Sequence, residues 1–304
     1  MKKVKDIMTR DIAILPREAN VDDVVKVMKN HRISCVIIMK DDIPEGIITE
    51  TDVLTKVIVK SRDPSKVSVE EVMTSPVMII DPEMPFTRVS KLMKEKSIRR
   101  FPVVDHNMLL GLVTQTDIAN ATIDYLEKLN AKLKQSDISL DDFHEISGEF
   151  YELGGHTRDR PDIKHMAMEI MSTDMQTVKP DGSVYDAALR ILDTSTNCVV
   201  VVDDSDSPLG MITERDLISK VLFRRLDPKK TRVSEVMSTP LITVSPESKV
   251  DELGNFMRTH NVRRLVVVAN GELVGIVTHS GISHNVIDMA LAIHSDIMDK
   301  WDAG

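Results

Sequence analysis

The chain has 304 residues, 42% of them hydrophobic and 29% charged, with a formal net charge of −9. This acidic balance argues against bulk electrostatic binding of nucleic acid, which calls for a basic face, and no apolar run reaches the ~20 residues of a membrane span. Aromatic residues make up only 3%, so the cores must be built from Val, Ile, Leu and Met, and a flat ligand would sit between aliphatic side chains.

In chain order, the first element is Ile7-Met8-Thr9, after lysines that no apolar segment follows, so the start does not read as a signal peptide. The expected location is cytoplasmic. An apolar stretch ends at Pro16, a helical pattern runs from Val21 to Met28, and an apolar run from Val36 to Met39 precedes Gly46-Ile47-Ile48-Thr49 and a second helical pattern. The series then recurs. Its openers are Val72-Met73-Thr74, Ile170-Met171-Ser172 and Val236-Met237-Ser238, and its prolines are Pro82, Pro180 and Pro246. The first helices are predicted at Phe86 to Met93, Val184 to Leu192 and Val250 to Met257. The apolar runs are Phe101 to Val104, Val199 to Val202 and Leu265 to Val268, each short and rich in Val, as buried strands are. Gly111-Leu112-Val113-Thr114, Gly210-Met211-Ile212-Thr213 and Gly275-Ile276-Val277-Thr278 complete the set.

Each copy therefore reads strand, helix, strand, strand, helix, and the fold class is α/β (α+β). Ser183 before Asp186 and Ser248 before Asp251 have the spacing of capping boxes, and Pro85 suits a first helical turn. Copies are about 65 residues apart within the first pair and within the second. Arg99-Arg100 of copy two matches Arg263-Arg264 of copy four, where copies one and three hold Ser34-Cys35 and Asn197-Cys198. The alternation points to an ancestral pair that was duplicated. Expected boundaries are 1–60, 66–128, 164–226 and 230–290 for the four copies, 129–163 for a partly helical linker, and 291–304 for a helical tail. Cys35 and Cys198 are expected as buried free thiols.

Four copies in register, with an opening Met-Thr, an Arg-Arg-Phe-Pro-Val-Val strand and a Gly-x-x-Thr-x-x-Asp turn, resemble the CBS (cystathionine β-synthase) domain. Two such domains normally pair as a Bateman module. Four in one chain are similar to the regulatory gamma subunit of AMP-activated protein kinase and its archaeal stand-alone relatives. The resemblance implies two Bateman modules in a disc-like assembly, with clefts that bind AMP, ADP or ATP, or alternatively S-adenosylmethionine or NAD-type ligands. The adenine nucleotide would be a regulatory ligand, with no cofactor required. Output would pass to a separate effector protein or through a homodimer. A ligand-free scaffold is the alternative.

Thr49-Glu50-Thr51-Asp52 leaves a strand and opens a helix. A carboxylate there can accept both hydroxyls of a ribose, and free N–H groups at the helix start suit a phosphate. The same holds for Thr114 with Asp117 and Thr213 with Asp216. Thr-x-x-Asp at such a junction is equally a capping box, and both roles can coexist. Copy four reads Thr278-His279-Ser280-Gly281, with Gly in place of Asp, so full ribose recognition is expected at three sites at most. The resemblance places Arg99, Arg100, Arg263 and Arg264 on phosphates. Strand alternation puts one member of each pair on each face, so one of each pair is expected to reach a ligand, Arg100 and Arg264 being the first choices, although solvated basic pairs would look the same. The resemblance also places Ile14, Ile79, Thr177 and Thr243 at the adenine, at positions that ordinary cores use as well.

His279 and His284 lie near the fourth site, and His144, His156 and His165 in the linker, without metal-ligand spacing, so no metal is expected. No nucleophile elbow, phosphate loop or dinucleotide fingerprint is present. A catalytic barrel of roughly 250 residues has no room beside the repeats. No enzyme activity is expected.

Overall fold

The computed structural model describes residues 2–121, 165–260, 262–282 and 285. The expected linker (129–163) and tail (291–304) lie outside the described residues. The chain divides into two compact units. One comprises Met1–Asp11, Met78–His165 and His279–Gly304, and the other Ile12–Val77 and Met166–Thr278.

Copy one contributes β1 (Ile14–Pro16), a helix at Val21–His31, β2 (Cys35–Lys40) and β3 (Ile43–Thr49). β1 lies parallel to β2, and β2 antiparallel to β3. In copy two, β4 (Arg100–Asp105) pairs with β5 (Met108–Thr114) after a helix at Phe86–Lys96. Its first strand is reduced to a single bridge, Ile80 to Val103. Copy three has β6 (Gln176–Val178), a helix at Val184–Leu192, β7 (Cys198–Val202) and β8 (Pro208–Thr213). Copy four has β9 (Thr243–Val244), a helix at Val250–His260, β10 (Arg264–Ala269) and β11 (Glu272–Thr278). Val and Ile runs are strands here because both faces are covered: Val36, Ile37 and Ile38 of β2 and the whole of β7 are buried. Cys35 and Cys198 are buried and not joined in a disulfide, and burial pushes the Cys198 thiol up from its ordinary value.

The turns follow from the residues. Asp41 and Asp42 between β2 and β3, His106 and Asn107 between β4 and β5, and Asn270 and Gly271 between β10 and β11 all take positive φ. Two such residues make the hairpin turn whose twist matches the strands. Ser183 caps its helix, accepting the Asp186 amide at 3.0 Å. The fourth-copy helix starts at Val250, so Ser248 falls one residue short of the capping position and Lys249 occupies it. Pro85 likewise sits just before its helix rather than within the first turn.

The opening segments pack where the order of the chain does not put them. Thr74, which opens copy two, bridges Ile47 of copy one, and Thr9, which opens copy one, bridges Leu112 of copy two. Ser172 bridges Ile276 and Ser238 bridges Met211 in the same way. Each opener thus lies on its sister's third strand, and its methionine covers that strand's glycine. A Cβ on Gly46 would stand 2.5 Å from Met73 Sδ, and one on Gly111 2.7 Å from Met8 Sδ and 2.8 Å from the Thr9 carbonyl oxygen. Met237 covers Gly210 and Met171 covers Gly275. In all four copies the strand register slips by a bulge beside this glycine, which sharpens the local twist.

Within the larger unit, one core joins copies one and three. Val21, Val24, Val25 and Met28 of the first helix share a cluster with Val184, Ala187, Ile191, Leu217 and Val221. Copies three and four meet through their sheets, at Cys198, Val200 and Met211 against Val266 and Ile276. In the other unit, Val4 and Met8 complete a core with Phe86, Val89, Phe101 and Val113.

Candidate ligand-binding site

The Thr-x-x-Asp turn has one geometry in three copies. Thr49 closes β3, and a helical turn at Glu50–Val53 follows. Asp52 Oδ2 accepts the Thr49 amide at 2.9 Å and the Thr49 hydroxyl at 2.5 Å, while the Asp52 amide donates to Thr49 Oγ1 at 3.3 Å. In copy two the Asp117 carboxylate accepts the Thr114 amide at 2.7 Å and hydroxyl at 2.6 Å. In copy three Asp216 accepts the Thr213 amide at 2.9 Å and hydroxyl at 2.7 Å. The capping reading is therefore realised in each, and in each it engages the same carboxylate oxygen, Oδ2.

The other oxygen differs between copies. Asp52 Oδ1 accepts Lys56 Nζ at 3.1 Å. Asp216 Oδ1 accepts Lys220 Nζ at 2.7 Å and the Ser238 hydroxyl at 2.9 Å. Both lysines also reach into the opener packed alongside: Lys56 donates to the Val72 carbonyl at 2.5 Å, and Lys220 to that of Val236 at 2.8 Å. They lie in helical segments widened to i→i+5 turns, Leu54–Ile58 and Leu217–Leu222, a geometry frequent at functional sites. Copy two carries Ala121 at the lysine position. Lacking a cation there, the Asp117 carboxyl is pushed above its ordinary value by burial, which the Thr114 hydrogen bonds oppose.

Copy four has no carboxylate at this place. Thr278 ends β11 opposite Arg264, and Gly281 stands where the other copies hold Asp. Arg264 is half-buried and its Nε donates to the Thr196 carbonyl of copy three at 2.7 Å. Arg100 is also half-buried, opposite Thr114, while Arg99 and Arg263 are exposed. Only the second member of each pair lies within a strand, Arg100 opening β4 and Arg264 opening β10. Ile14 and Ile79, placed at the adenine, are 53% and 48% exposed. Thr177 is half-buried and Thr243 exposed, each beside the middle strand of its sheet.

A second polar cluster joins copies one and three where their helical turns meet. Arg215 Nε donates to Glu50 Oε1 at 3.1 Å. Glu214 is buried, and its Oε1 has no hydrogen-bond partner. Burial pushes the Glu214 carboxyl above its ordinary value. Hydrogen bonds from Thr51 and Asn197 pull the other way, Glu50 adds to the rise, and Arg264 opposes it. Lys56, Lys220 and Glu214 were not among the residues singled out by sequence, and Ser238 only as part of an opener. The signal for the lysines was visible, a Lys four residues after the Asp in copies one and three and absent from copy two. Among the described residues no group of His, Cys, Asp and Glu is arranged to hold a metal. His284, His144 and His156 lie outside the described residues. No helix among the described residues is long and apolar enough to cross a membrane.

Four repeats of this form, each with the glycine of its third strand covered by the methionine of its sister's opener, define a tandem-repeat α/β protein. The CBS domain model matches residues 4–59, 69–124, 167–222 and 233–288, and the chain belongs to the CBS domain family. It is 36% identical over 111 residues to protein MK0525 of Methanopyrus kandleri, covering 36% of this chain and 57% of that protein. The match thus spans little more than half of that relative's length. It is 30% identical over 119 residues to the CBS domain-containing protein YhcV of Bacillus subtilis, covering 39% of this chain and 84% of that one. Protein MJ1225 of Methanocaldococcus jannaschii has a similar solved structure, with a TM-score of 0.69 at 16% identity over 93% of this chain and 99% of that one. At that identity the likeness concerns the fold.

Proposed function

We propose that the chain is a ligand-sensing regulatory protein that binds adenosine-type nucleotides (AMP, ADP or ATP) at its Thr-x-x-Asp turns and acts on a separate effector protein, without catalysis. The observation that carries the reading is the threefold recurrence of one turn in which Thr orients an Asp carboxylate at a helix start, together with apolar residues left exposed at positions that the family resemblance assigns to the adenine. Ile14 and Ile79 show about half their surface to solvent, which a core position would not. MJ1225, similar in fold, has been described as a candidate archaeal homologue of γ-AMPK, and that description supports the same ligand class. Asp52, Asp117 and Asp216 would hold the ribose. Thr49, Thr114, Thr213 and Thr278 would place the helix start, and Arg100 and Arg264, with Arg99 and Arg263 beside them, would meet the phosphates. The ligand would act by favouring one packing of the paired domains, since a ligand moves an equilibrium only through differential affinity.

The test is a thermal-shift comparison of nucleotide-stripped protein with AMP, ADP, ATP, S-adenosylmethionine and NAD. A ligand at 100 times its dissociation constant adds about 2.7 kcal/mol, a shift of several degrees for a chain of this size. A shift with adenine nucleotides that an Asp117→Ala change reduces supports the reading. A folded, empty protein that none of them shifts would move the assignment to a ligand-free scaffold.

A further inference from the structure

We propose that Lys56, Lys220 and Ser238 set the order in which the three aspartates accept a ribose, with Asp117 first, Asp52 second and Asp216 last. The proposal rests on the nucleotide-binding reading and deepens it. A carboxylate offers about four lone-pair positions, two on each oxygen. In all three copies the Thr amide and hydroxyl fill Oδ2. Only Oδ1 remains for a sugar hydroxyl.

At Asp117 that oxygen has no partner among the described residues. At Asp52 it accepts one donor, Lys56. At Asp216 it accepts two, Lys220 and Ser238, and has no lone pair left. A ribose at Asp216 must therefore displace a charge-assisted hydrogen bond or the Ser238 hydroxyl, while one at Asp117 displaces no donor among the described residues. Charge-assisted bonds are about twice as strong as neutral ones, so a neutral sugar hydroxyl does not recover what the ammonium loses. The lysines cannot simply drift aside. Each is tied to the carbonyl of a neighbouring opener, at Val72 or Val236, and Lys220 also to Ser238 Oγ at 2.9 Å. They are specificity-determining residues that make three similar turns unequal.

Isothermal titration of the nucleotide-stripped full chain, with AMP, ADP and ATP in turn, tests the order. Asp117→Ala is expected to remove the tightest class of sites, and Asp216→Ala to leave it in place. Ser238→Ala, a small change that frees one lone pair of Asp216, should tighten the weakest class several-fold, and Lys220→Met by about tenfold or more. Melting curves without ligand identify any variant that has lost its fold; Ser238→Ala, which removes a single hydroxyl, keeps the test open if Lys220→Met does not fold. Loss of the tightest class with Asp216→Ala but not Asp117→Ala, or weakest-class affinity unchanged in Ser238→Ala, would overturn the order while leaving nucleotide binding intact. No heat with any of the three nucleotides, from folded wild-type protein, would overturn the order and the binding reading together.

Discussion

Glu214 shows how one carboxyl can tie stability to pH. It is 6% exposed, interacts with Glu50 and Arg264 besides the neutral Thr51 and Asn197, and keeps one oxygen without a partner. Its folded-state value lies above the ordinary 4.5 because burial disfavours the charged form. The stabilising contribution is thus fully present below that ordinary value and is lost as pH rises through the raised one. Glu214→Gln keeps the shape and removes the charge. It is expected to stabilise the chain near neutral pH by about 1 kcal/mol and to narrow the difference between melting temperatures at mildly acidic and neutral pH. A pH dependence identical to wild type would refute this account. The threonine caps make a separate prediction. Thr49→Ala removes the acceptor for the Asp52 amide and a donor to its carboxylate, and should cost about 1 kcal/mol of unfolding free energy in a denaturant titration. Thr49 and Asp52 were legible in sequence as a cap. The occupants of Oδ1 were not, because an Asp and a Lys four apart on a helix ordinarily form a weak surface pair, and nothing in the linear order brings Ser238 to Asp216.

At the level of elements, the glycines that follow each hairpin carry the sharpest sequence-to-packing link. Gly111→Ala would drive a Cβ to within 2.8 Å of the Thr9 carbonyl oxygen, which is already bonded to the Leu112 amide at 2.9 Å. Backbone held in a ladder cannot yield as a side chain can, so this overpacking is expected to cost about 1–3 kcal/mol. Gly271→Ala meets nothing within 4 Å, but its φ is +87°, and the left-handed strain alone should cost about 1 kcal/mol. Chemical denaturation of the two variants distinguishes crowding from strain: equal losses would argue against the close opener contact. The strands and first helices were legible because Val and Ile runs, periodic apolar residues and the Gly-x-x-Thr motif recur four times. The reduction of the first strand in copy two to a single bridge at Ile80 was not, since Met78, Ile79 and Ile80 read as well as Ile12 to Leu15. Nor was the seat of the openers. A period in the sequence tells which segments are alike, and does not tell which copy each one rests on.

Across the larger unit, copies one and three are expected to unfold together. Leu217 is fully buried in the core they share, and Asp22 of copy one accepts Arg225 of copy three at 3.3 Å. Leu217→Ala should cost about 2–5 kcal/mol. Hydrogen exchange should then quicken in β2 of copy one as well as in β7 of copy three; faster exchange confined to β7 would mean the two cores are independent. The exchanged openers have a consequence for descent. A gene that gained or lost one repeat would leave a glycine groove without its methionine in one place and a stray methionine in another. Inheritance by twos avoids both faults, and the alternation of Arg-Arg with Ser-Cys and Asn-Cys along this chain is the lineage such a rule would leave behind.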